Sequence, residues 1–244
     1  MSRTRTRGGG RAGAGGDTSG GGTRSGGGTR ARRAGSSRWI TRQLSDPYVK
    51  RAKAEGFRAR AAYKLIELDR RFSLLAGARR VVDLGAAPGS WTQAVRRLQP
   101  AARVVGVDLL PMEPIAGACL LQLDVRDPGA PSAIAEALGG PADLLLSDMA
   151  ANTVGHPGTD HLRTMALVEA ASDLAALLLR PGGAFVAKVL AGGAAPALVA
   201  ELRRRFAVVR HAKPPASRRE SSELYLVALG FRGVPGQPAA GPEA

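Results

Sequence analysis

Residues Val81–Trp91 read VVDLGAAPGSW, a sequence that indicates the class of fold. Its apolar start predicts a buried strand, and the small residues after Leu84 predict a tight turn that leads into a helix. Such a turn brings the backbone close to a ligand at the carboxyl edge of a parallel sheet. A dinucleotide fingerprint would need glycine at Ala87 and Ser90, and a P-loop would need Gly-Lys-Ser/Thr. The stretch therefore predicts a cofactor site that does not cradle phosphate.

Apolar runs of strand length alternate with longer helical patterns through most of the chain. This alternation predicts an α/β fold in which helices cover both faces of a mostly parallel sheet. The predicted strands are Arg80–Leu84, Arg103–Asp108, Leu120–Leu123, Leu144–Ser147, Phe185–Val189, Ala207–Arg210 and Glu223–Leu229. The predicted helices are 46–56, Ala59–Phe72, Trp91–Leu98, Ser132–Leu138, Thr159–Leu179 and Pro196–Phe206. Ser45, Asp46 and Pro47 supply a cap and a first-turn proline for the first of these helices.

Acidic residues follow the second and third predicted strands. Asp108 ends the second strand, where a carboxylate is placed to accept hydrogen bonds from both hydroxyls of an unphosphorylated ribose. Asp124 ends the third strand, and an ionised carboxylate there can accept from the exocyclic amine of an adenine. Each acid alone is also explained as a solvated strand end or a helix cap. Their recurrence at successive strand ends favours an adenosine site.

The fourth and fifth strands run into charges at Asp148 and Lys188. Charges among buried strands are costly unless they are paired, and a shared active site explains their presence. If the last strand is antiparallel, its first residue, Glu223, lies at the same edge of the sheet. Lys64 could reach this edge from the helix before the first strand. Taken singly, the lysines are also explained as snorkelling side chains, and Glu223 as a surface salt bridge that Glu220 could equally make.

Composition limits the class of protein. The chain has 244 residues, 44% of them hydrophobic, and a net charge of +15. It has room for one ordinary α/β domain, and its positive charge indicates a polyanionic partner, with nucleic acid favoured over a membrane surface. The sequence has no apolar run of the roughly 20 residues that cross a bilayer and no signal peptide, so we expect a cytoplasmic protein. Cys119 is expected in the core, and the histidines lack the spacing of a zinc site, so no metal is expected.

Three segments are expected along the chain. Residues 1–36 are dominated by Gly, Arg, Ser and Thr and are predicted to form a disordered basic arm. Residues 37–233 form the predicted catalytic domain, and residues 234–244 a flexible tail. The arm is explained equally well as a solubilising tail and as an RNA tether, because Gly/Arg repeats bind RNA with little sequence choice.

Several motifs in order resemble one known family, the FtsJ/RlmE ribosomal RNA large subunit 2'-O-methyltransferases. The resemblance runs from Ser37 to about Gly230. Its motifs are SDPYV at 45–49, RARAAYKL at 58–65, DLGAAPGSW at 83–91, DLLPM at 108–112, SDMA at 147–150 and VAKV at 186–189. Two positions depart from the family pattern: Ser90 replaces a common glycine, and Ala151 stands where proline often follows SDMA.

The resemblance implies a Rossmann-like methyltransferase fold, with a mostly parallel seven-stranded sheet and an antiparallel last strand. It implies S-adenosylmethionine as cofactor and a uridine ribose of 23S ribosomal RNA as substrate. The implied cofactor-binding residues are Gly89, Trp91, Asp108, Asp124 and Asp148. The implied catalytic set is Lys64, Asp148, Lys188 and Glu223. We take Lys188 as the proton acceptor, with the two acids orienting the lysines and the ribose, and Lys64 holding either a phosphate or the ribose.

Basic residues near this edge form a candidate phosphate track for RNA. They are Arg38, Lys50, Arg51, Lys53, Arg58, Arg60, Arg218 and Arg219. Trp39 and Tyr48 either stack on bases or pack against the domain. Three other functions remain open: the same chemistry on transfer or messenger RNA, a catalytically silent RNA-binding module, and a nicotinamide-dependent oxidoreductase.

Overall fold

Successive residues of the central strands point to opposite faces of one sheet, and both faces are buried. Val82, Val105 and Leu145 pack on one face, whereas Val81 and Leu144 pack on the other. Burial on both faces is the reason that these strands are continuous apolar runs in the sequence. The computed structural model describes residues 45–151, 157–190 and 195–233.

The sheet has seven strands. They are β1 (Arg80–Leu84), β2 (Arg103–Asp108), β3 (Ala118–Gln122), β4 (Ala142–Ser147), β5 (Leu179–Leu190), β6 (Phe206–Ala212) and β7 (Glu223–Phe231). Their order is β3-β2-β1-β4-β5-β7-β6. Strands β1 to β5 pair in parallel, and β7 runs antiparallel to both β5 and β6. The predicted fold class, including the antiparallel last strand, is confirmed.

Helices cover both faces of the sheet. They are α1 (Pro47–Ala54), α2 (Ala62–Phe72), α3 (Ser90–Leu98), α4 (Ala130–Leu138), α5 (Pro157–Leu178) and α6 (Pro196–Arg205). Buried residues of α1, α2 and α3 belong to one core cluster, and those of α4, α5 and α6 belong to the other. The predicted cap of α1 is confirmed: the Asp46 side chain accepts from the Tyr48 backbone N–H at 3.0 Å, and Pro47 follows it.

Strand positions were predicted better than strand lengths. β1 and β2 have the predicted bounds, whereas β5 begins at Leu179 instead of Phe185. Its early part pairs with β4 across a register shift and contains Pro181 and Gly182, residue types that indicate a turn in a sequence. Helix α2 begins at Ala62 and not at Ala59.

The expectation that Cys119 lies in the core is wrong, because its side chain is exposed. It lies on β3, which stands at one end of the strand order and pairs with β2 alone in the described sheet. Within the described ranges, no helix is long and apolar enough to span a membrane. The same ranges contain no group of three or more His, Cys, Asp or Glu side chains that could hold a metal ion.

The predicted basic arm and C-terminal tail lie outside the described residues, as do Arg38 and Trp39. All described residues belong to one unit, Leu44–Ala244, and the other unit of the chain is Met1–Gln43. The proposed boundaries after residues 36 and 233 therefore stay predictions.

Candidate active site

The turn after β1 needs glycine at two positions. Gly85 has a φ of +70°, and a Cβ there would stand 2.9 Å from the Met149 Cα. Gly89 has a φ of +105°, and a Cβ there would stand 2.5 Å from the Ile115 Cδ1. Both φ values lie in the left-handed region that favours glycine. Ser90, by contrast, is the first residue of α3, so the glycine common in the family is not required at that position.

A cleft of about 280 Å³ opens where this turn meets the carboxyl ends of β2 and β4. Asp108, Asp124 and Asp148 all line it. Apolar side chains from the loops after β2 and β3 add to its walls: Leu109, Leu110, Leu123 and Val125. The fold therefore brings together the three acids that the sequence assigns to a cofactor.

Gly89 and Trp91 are not among the described residues that line this cleft. Trp91 is 2% exposed, its Nε1 donates to the Ala61 carbonyl at 2.8 Å, and its ring packs 5.6 Å from that of Tyr225. Its side chain belongs to the core on the face covered by α1, α2 and α3. Contact of Trp91 with a cofactor stays a prediction, and the placement of the indole favours contact through the backbone.

Backbone groups fix the Asp108 carboxylate. Its Oδ2 accepts from the Ala87 N–H at 2.9 Å, and its Oδ1 accepts from the Leu110 N–H at 2.9 Å. Each carboxylate oxygen has a further acceptor position, so Asp108 can still accept from two hydroxyls. The first bond ties Asp108 to the turn after β1 and the second ties it to the loop after β2.

Asp124 lies beyond the end of β3, in a loop, and is engaged by Arg126. The guanidinium donates to Oδ2 at 2.6 Å, and the Arg126 backbone N–H donates to Oδ1 at 3.0 Å. The side-chain and backbone hydrogen bonds from Arg126 lower the pKa of Asp124 to about 2. Asp124 is therefore an ionised acceptor whose oxygens already have partners, unlike the open acceptor that its position in the sequence indicates.

Lys188 and Asp148 form the first of two ion pairs in the predicted catalytic set. Lys188 Nζ lies 3.1 Å from Asp148 Oδ1 and donates to the Asp148 backbone carbonyl at 2.6 Å. The two side chains are 11% and 17% exposed. Tyr225, which pairs with Lys188 across β5 and β7, donates from its hydroxyl to the same Asp148 Oδ1 at 2.8 Å. Lys188 and Tyr225 thus both contact the same oxygen of the Asp148 carboxylate.

Lys64 and Glu223 form the second ion pair. Lys64 Nζ lies 2.6 Å from Glu223 Oε2, and Ser217 donates its hydroxyl to Glu223 Oε1 at 2.6 Å. The Lys64 Nζ also lies 5.9 Å from the centroid of the Tyr225 ring. The structure therefore gathers the four predicted catalytic residues into two ion pairs with Tyr225 between them.

Sequence reasoning missed Tyr225 and Ser217. Tyr225 stands two residues after Glu223 on β7, and the period of two along a strand indicates that both face the same side. Burial, together with the charges of Asp148 and Glu223, holds the pKa of Tyr225 well above its usual value, so the hydroxyl stays a donor. Ser217 lies in the connection between β6 and β7, where no periodic pattern marks it.

Asp83, within β1, is a buried acid near this site. It is fully buried, its Oδ2 accepts from the Thr92 hydroxyl at 2.7 Å, and its Oδ1 has no hydrogen-bond partner among the described residues. Burial, together with the charges of Asp148 and Asp108, raises the pKa of Asp83 to about 7 despite the hydrogen bonds from Thr92. The sequence placed Asp83 in the first strand and at the start of the DLGAAPGSW motif, but assigned it no role.

Part of the predicted phosphate track serves another purpose. The Arg58 guanidinium donates to the carbonyls of Pro88, Glu113 and Pro114 at 2.8 to 2.9 Å. Arg60 pairs with Asp46, so both arginines brace the fold. Lys50, Lys53 and Arg219 are exposed on the described surface and fit an RNA contact better.

Curated proteins of known name are similar to this chain over most of its length. A curated relative from Rhizorhabdus wittichii is 66% identical over 204 residues, covering 84% of this chain and 89% of the relative. One from Zymomonas mobilis is 63% identical over 202 residues, covering 83% and 91%. Both are named ribosomal RNA large subunit methyltransferase E.

A solved structure and a family model complete the comparison. The crystal structure of a chain described as a ribosomal RNA methyltransferase from Plasmodium falciparum has a TM-score of 0.66 and 29% identity. It matches 73% of this chain and 100% of its own. The model of the FtsJ-like methyltransferase family matches residues 57–231, which include all four charged residues of the two ion pairs. The chain therefore belongs to the FtsJ-like methyltransferase family.

Proposed function

We propose that this protein transfers a methyl group from S-adenosylmethionine to the 2'-hydroxyl of a uridine ribose in 23S ribosomal RNA of the large subunit. The observation that carries the proposal is the pair of ion pairs, Lys64 with Glu223 and Lys188 with Asp148, beside a cleft lined by Asp108. Membership of the FtsJ-like methyltransferase family supports methyl transfer and argues against the oxidoreductase alternative.

The names of the relatives support the substrate. They are ribosomal RNA large subunit methyltransferases and are similar to this chain over most of its length. The net charge of +15 suits a polyanion, because lysine and arginine gain free energy by releasing counterions from phosphates. Action on ribosomal RNA supports the proposal that the protein works in the cytoplasm, with the ribosomes.

The donor set of the cleft fits S-adenosylmethionine. The two oxygens of Asp108, held in place by backbone N–H groups, suit the ribose hydroxyls of an adenosine. The apolar side chains Leu109 and Leu110 are exposed beside it and suit the face of an adenine. When bound, the cofactor supplies an electrophilic methyl group on a sulfonium sulfur. Asp148 lines the same cleft and pairs with Lys188, so it connects the proposed cofactor site to the proposed catalytic residues.

Lys188 is the proposed general base. Its nitrogen has three substituent positions besides the side chain; one donates to the Asp148 carbonyl, and the Asp148 carboxylate lies 3.1 Å from the nitrogen. Within the described ranges the nitrogen has no further partner, so a position remains to receive the proton of the ribose hydroxyl once the amine is neutral. Asp148 fixes the direction of that position, so most of the rate gain comes from orientation of the ribose oxygen. Lys64, held by Glu223, is placed to bind a phosphate or the ribose.

The class of the acceptor RNA is tested by competition. The protein is supplied with a labelled methyl donor, large subunits, small subunits, free 23S ribosomal RNA, transfer RNA and messenger RNA. We expect label in the RNA of the large subunit. Label mainly in transfer or messenger RNA would assign the same chemistry to another substrate. Binding of cofactor and RNA without transfer to any of them would favour the silent RNA-binding module.

A further inference from the structure

The connection between β6 and β7, residues 213–222, is folded back on itself. Lys213 Nζ donates to the carbonyls of Arg219 and Ser221 at 3.1 and 2.7 Å. The Ser217 N–H donates to the Pro214 carbonyl at 2.8 Å, which closes a turn. These bonds hold one end of the connection to the other, so its middle has a defined position.

Side chains of helix α2 and of the residues before it bind the backbone in the middle of this connection, at Ala216. Glu67 accepts a hydrogen bond from the Ala216 N–H, and Arg60 donates to the Ala216 carbonyl. Asp46 pairs with Arg60 and also with Arg218, at 3.3 Å. Both backbone groups of a fully buried residue are therefore fixed by charged side chains, and such charge-assisted bonds are stronger than neutral ones.

Ser217, the next residue, is placed by these contacts against the second ion pair. It is 5% exposed, and its hydroxyl donates to Glu223 Oε1 at 2.6 Å, while Lys64 donates to Oε2 at the same distance. Each carboxylate oxygen thus has one strong donor from a different element. Rotation about the last bond of a glutamate side chain is otherwise loosely restricted. Two donors on opposite oxygens fix the plane of the carboxylate.

We propose that Ser217 is a positioning residue: its hydroxyl sets the orientation in which Glu223 holds Lys64 against the RNA. This inference rests on the proposed function, because it takes Glu223 and Lys64 as part of the catalytic set. Without the hydroxyl, Oε1 loses a buried donor and the carboxylate turns to regain one. Lys64 turns with it, because the Lys64 ammonium is paired with the same carboxylate at 2.6 Å.

The test is single-turnover methyl transfer by Ser217→Ala, measured over ranges of cofactor and RNA concentration. We expect the rate at saturation to fall about tenfold, as misorientation predicts, while both half-saturation concentrations stay within about twofold of the parent. Ser172→Ala is the matched control, since Ser172 lies on α5 and is 3% exposed. It removes a similarly buried hydroxyl and should leave the rate unchanged.

Glu223→Gln, measured in the same assay, separates the two ways of failing. If Glu223→Gln transfers at the parent rate, the proposed catalytic set is wrong. If Glu223→Gln is slow but Ser217→Ala matches the parent, the set stands and the inference about Ser217 is overturned. A loss in Ser217→Ala that comes with weakened binding of both cofactor and RNA overturns it too, because a loop that only supports the fold would act in that way.

Discussion

Substitution of Lys188 should slow methyl transfer without weakening the binding of cofactor or RNA. We expect Lys188→Arg to keep cofactor and RNA binding but to lose at least about a hundredfold in methyl transfer, the lower range for loss of a general base. Arginine keeps the charge and the hydrogen-bond donors, yet it stays protonated and cannot accept the ribose proton. Single-turnover transfer at saturating cofactor and RNA measures this, with circular dichroism to confirm folding.

The matched control is Lys53→Arg, which makes the same change at an exposed lysine of α1. It should leave the rate of methyl transfer nearly unchanged. If Lys188→Arg retains a substantial fraction of the parent rate, Lys188 is a charged contact and not the base. Loss of rate alone would show that Lys188 is needed but would not prove that it accepts the proton, because altered orientation also slows transfer. The parent rate must therefore also rise with pH as the base loses its proton.

Asp83 gives the stability of the protein a pH dependence. The pKa of its carboxyl is about 7 in the folded protein against a reference value of 3.8, so the unfolded chain loses this proton first. The parent is therefore destabilised increasingly as pH rises from about 4 to about 7, and the penalty levels off above that. Asp83→Asn does not ionise. Its free energy of unfolding, relative to the parent, should rise over that range and then stay constant.

Denaturant unfolding at a series of pH values measures the Asp83 effect, with the exposed Asp173→Asn as control. The comparison uses only the change with pH, because replacing the carboxyl also alters the hydrogen bond to Thr92. A difference between Asp83→Asn and the parent that is the same at every pH would contradict the prediction.

The sequence predicts those residues of this site that lie on strands or at strand ends, but not those that lie in the connections. Asp108 and Asp148 lie where strands end, so the order of strands brings them to one edge without knowledge of any contact. Arg126 and Ser217 lie in connections, and their partners are chosen by loop geometry that no periodicity encodes. The prediction that Cys119 is buried was wrong for a related reason. An apolar run predicts a strand but does not show whether that strand has neighbours on both sides.

At the scale of elements, Arg58 joins the turn after β1 to the loop after β2. Its three hydrogen bonds to the carbonyls of Pro88, Glu113 and Pro114 connect the two segments from which Ala87, Leu109 and Leu110 line the cleft. We expect Arg58→Ala to weaken S-adenosylmethionine binding about fivefold to tenfold, because hydrogen bonds to a charged group contribute roughly 1.5 to 3 kcal/mol and part of the loss is recovered by solvent. Isothermal calorimetry measures the affinity.

Lys53→Ala is the control for Arg58, since it removes an exposed cation of α1 and should change RNA affinity but not cofactor affinity. If Arg58→Ala leaves cofactor affinity unchanged and weakens RNA binding, the sequence interpretation of Arg58 as a phosphate contact is correct and its bracing role is secondary.

Element types followed from the sequence because the central strands are buried on both faces and their apolar runs are continuous. Element lengths did not follow where local chemistry and tertiary pairing disagree. Pro181 and Gly182 indicate a turn, yet β5 extends through them because β4 offers a partner strand. Such tertiary pairing overrides local preference, and only the three-dimensional contacts reveal it.

At the scale of the whole molecule, the charge is uneven along the chain. Residues 1–36 contain eight arginines and one aspartate, which is +7 of the total +15. We expect deletion of residues 1–36 to leave cofactor affinity intact, to weaken RNA binding at low salt, and to reduce the dependence of RNA affinity on salt concentration. Filter binding over a salt series measures this. A truncated protein that fails to fold, or that binds RNA with an unchanged salt dependence, would contradict the predicted role of the arm.

The central claim is that this protein methylates a ribose hydroxyl of ribosomal RNA. It is tested most directly by supplying labelled methyl donor to large ribosomal subunits that lack ribose methylation, digesting the RNA to nucleosides and identifying the labelled product by mass spectrometry. We expect label in 2'-O-methyluridine from 23S ribosomal RNA and its loss in Lys188→Arg. Label on a base, or no label in that RNA while the protein binds cofactor, would contradict it.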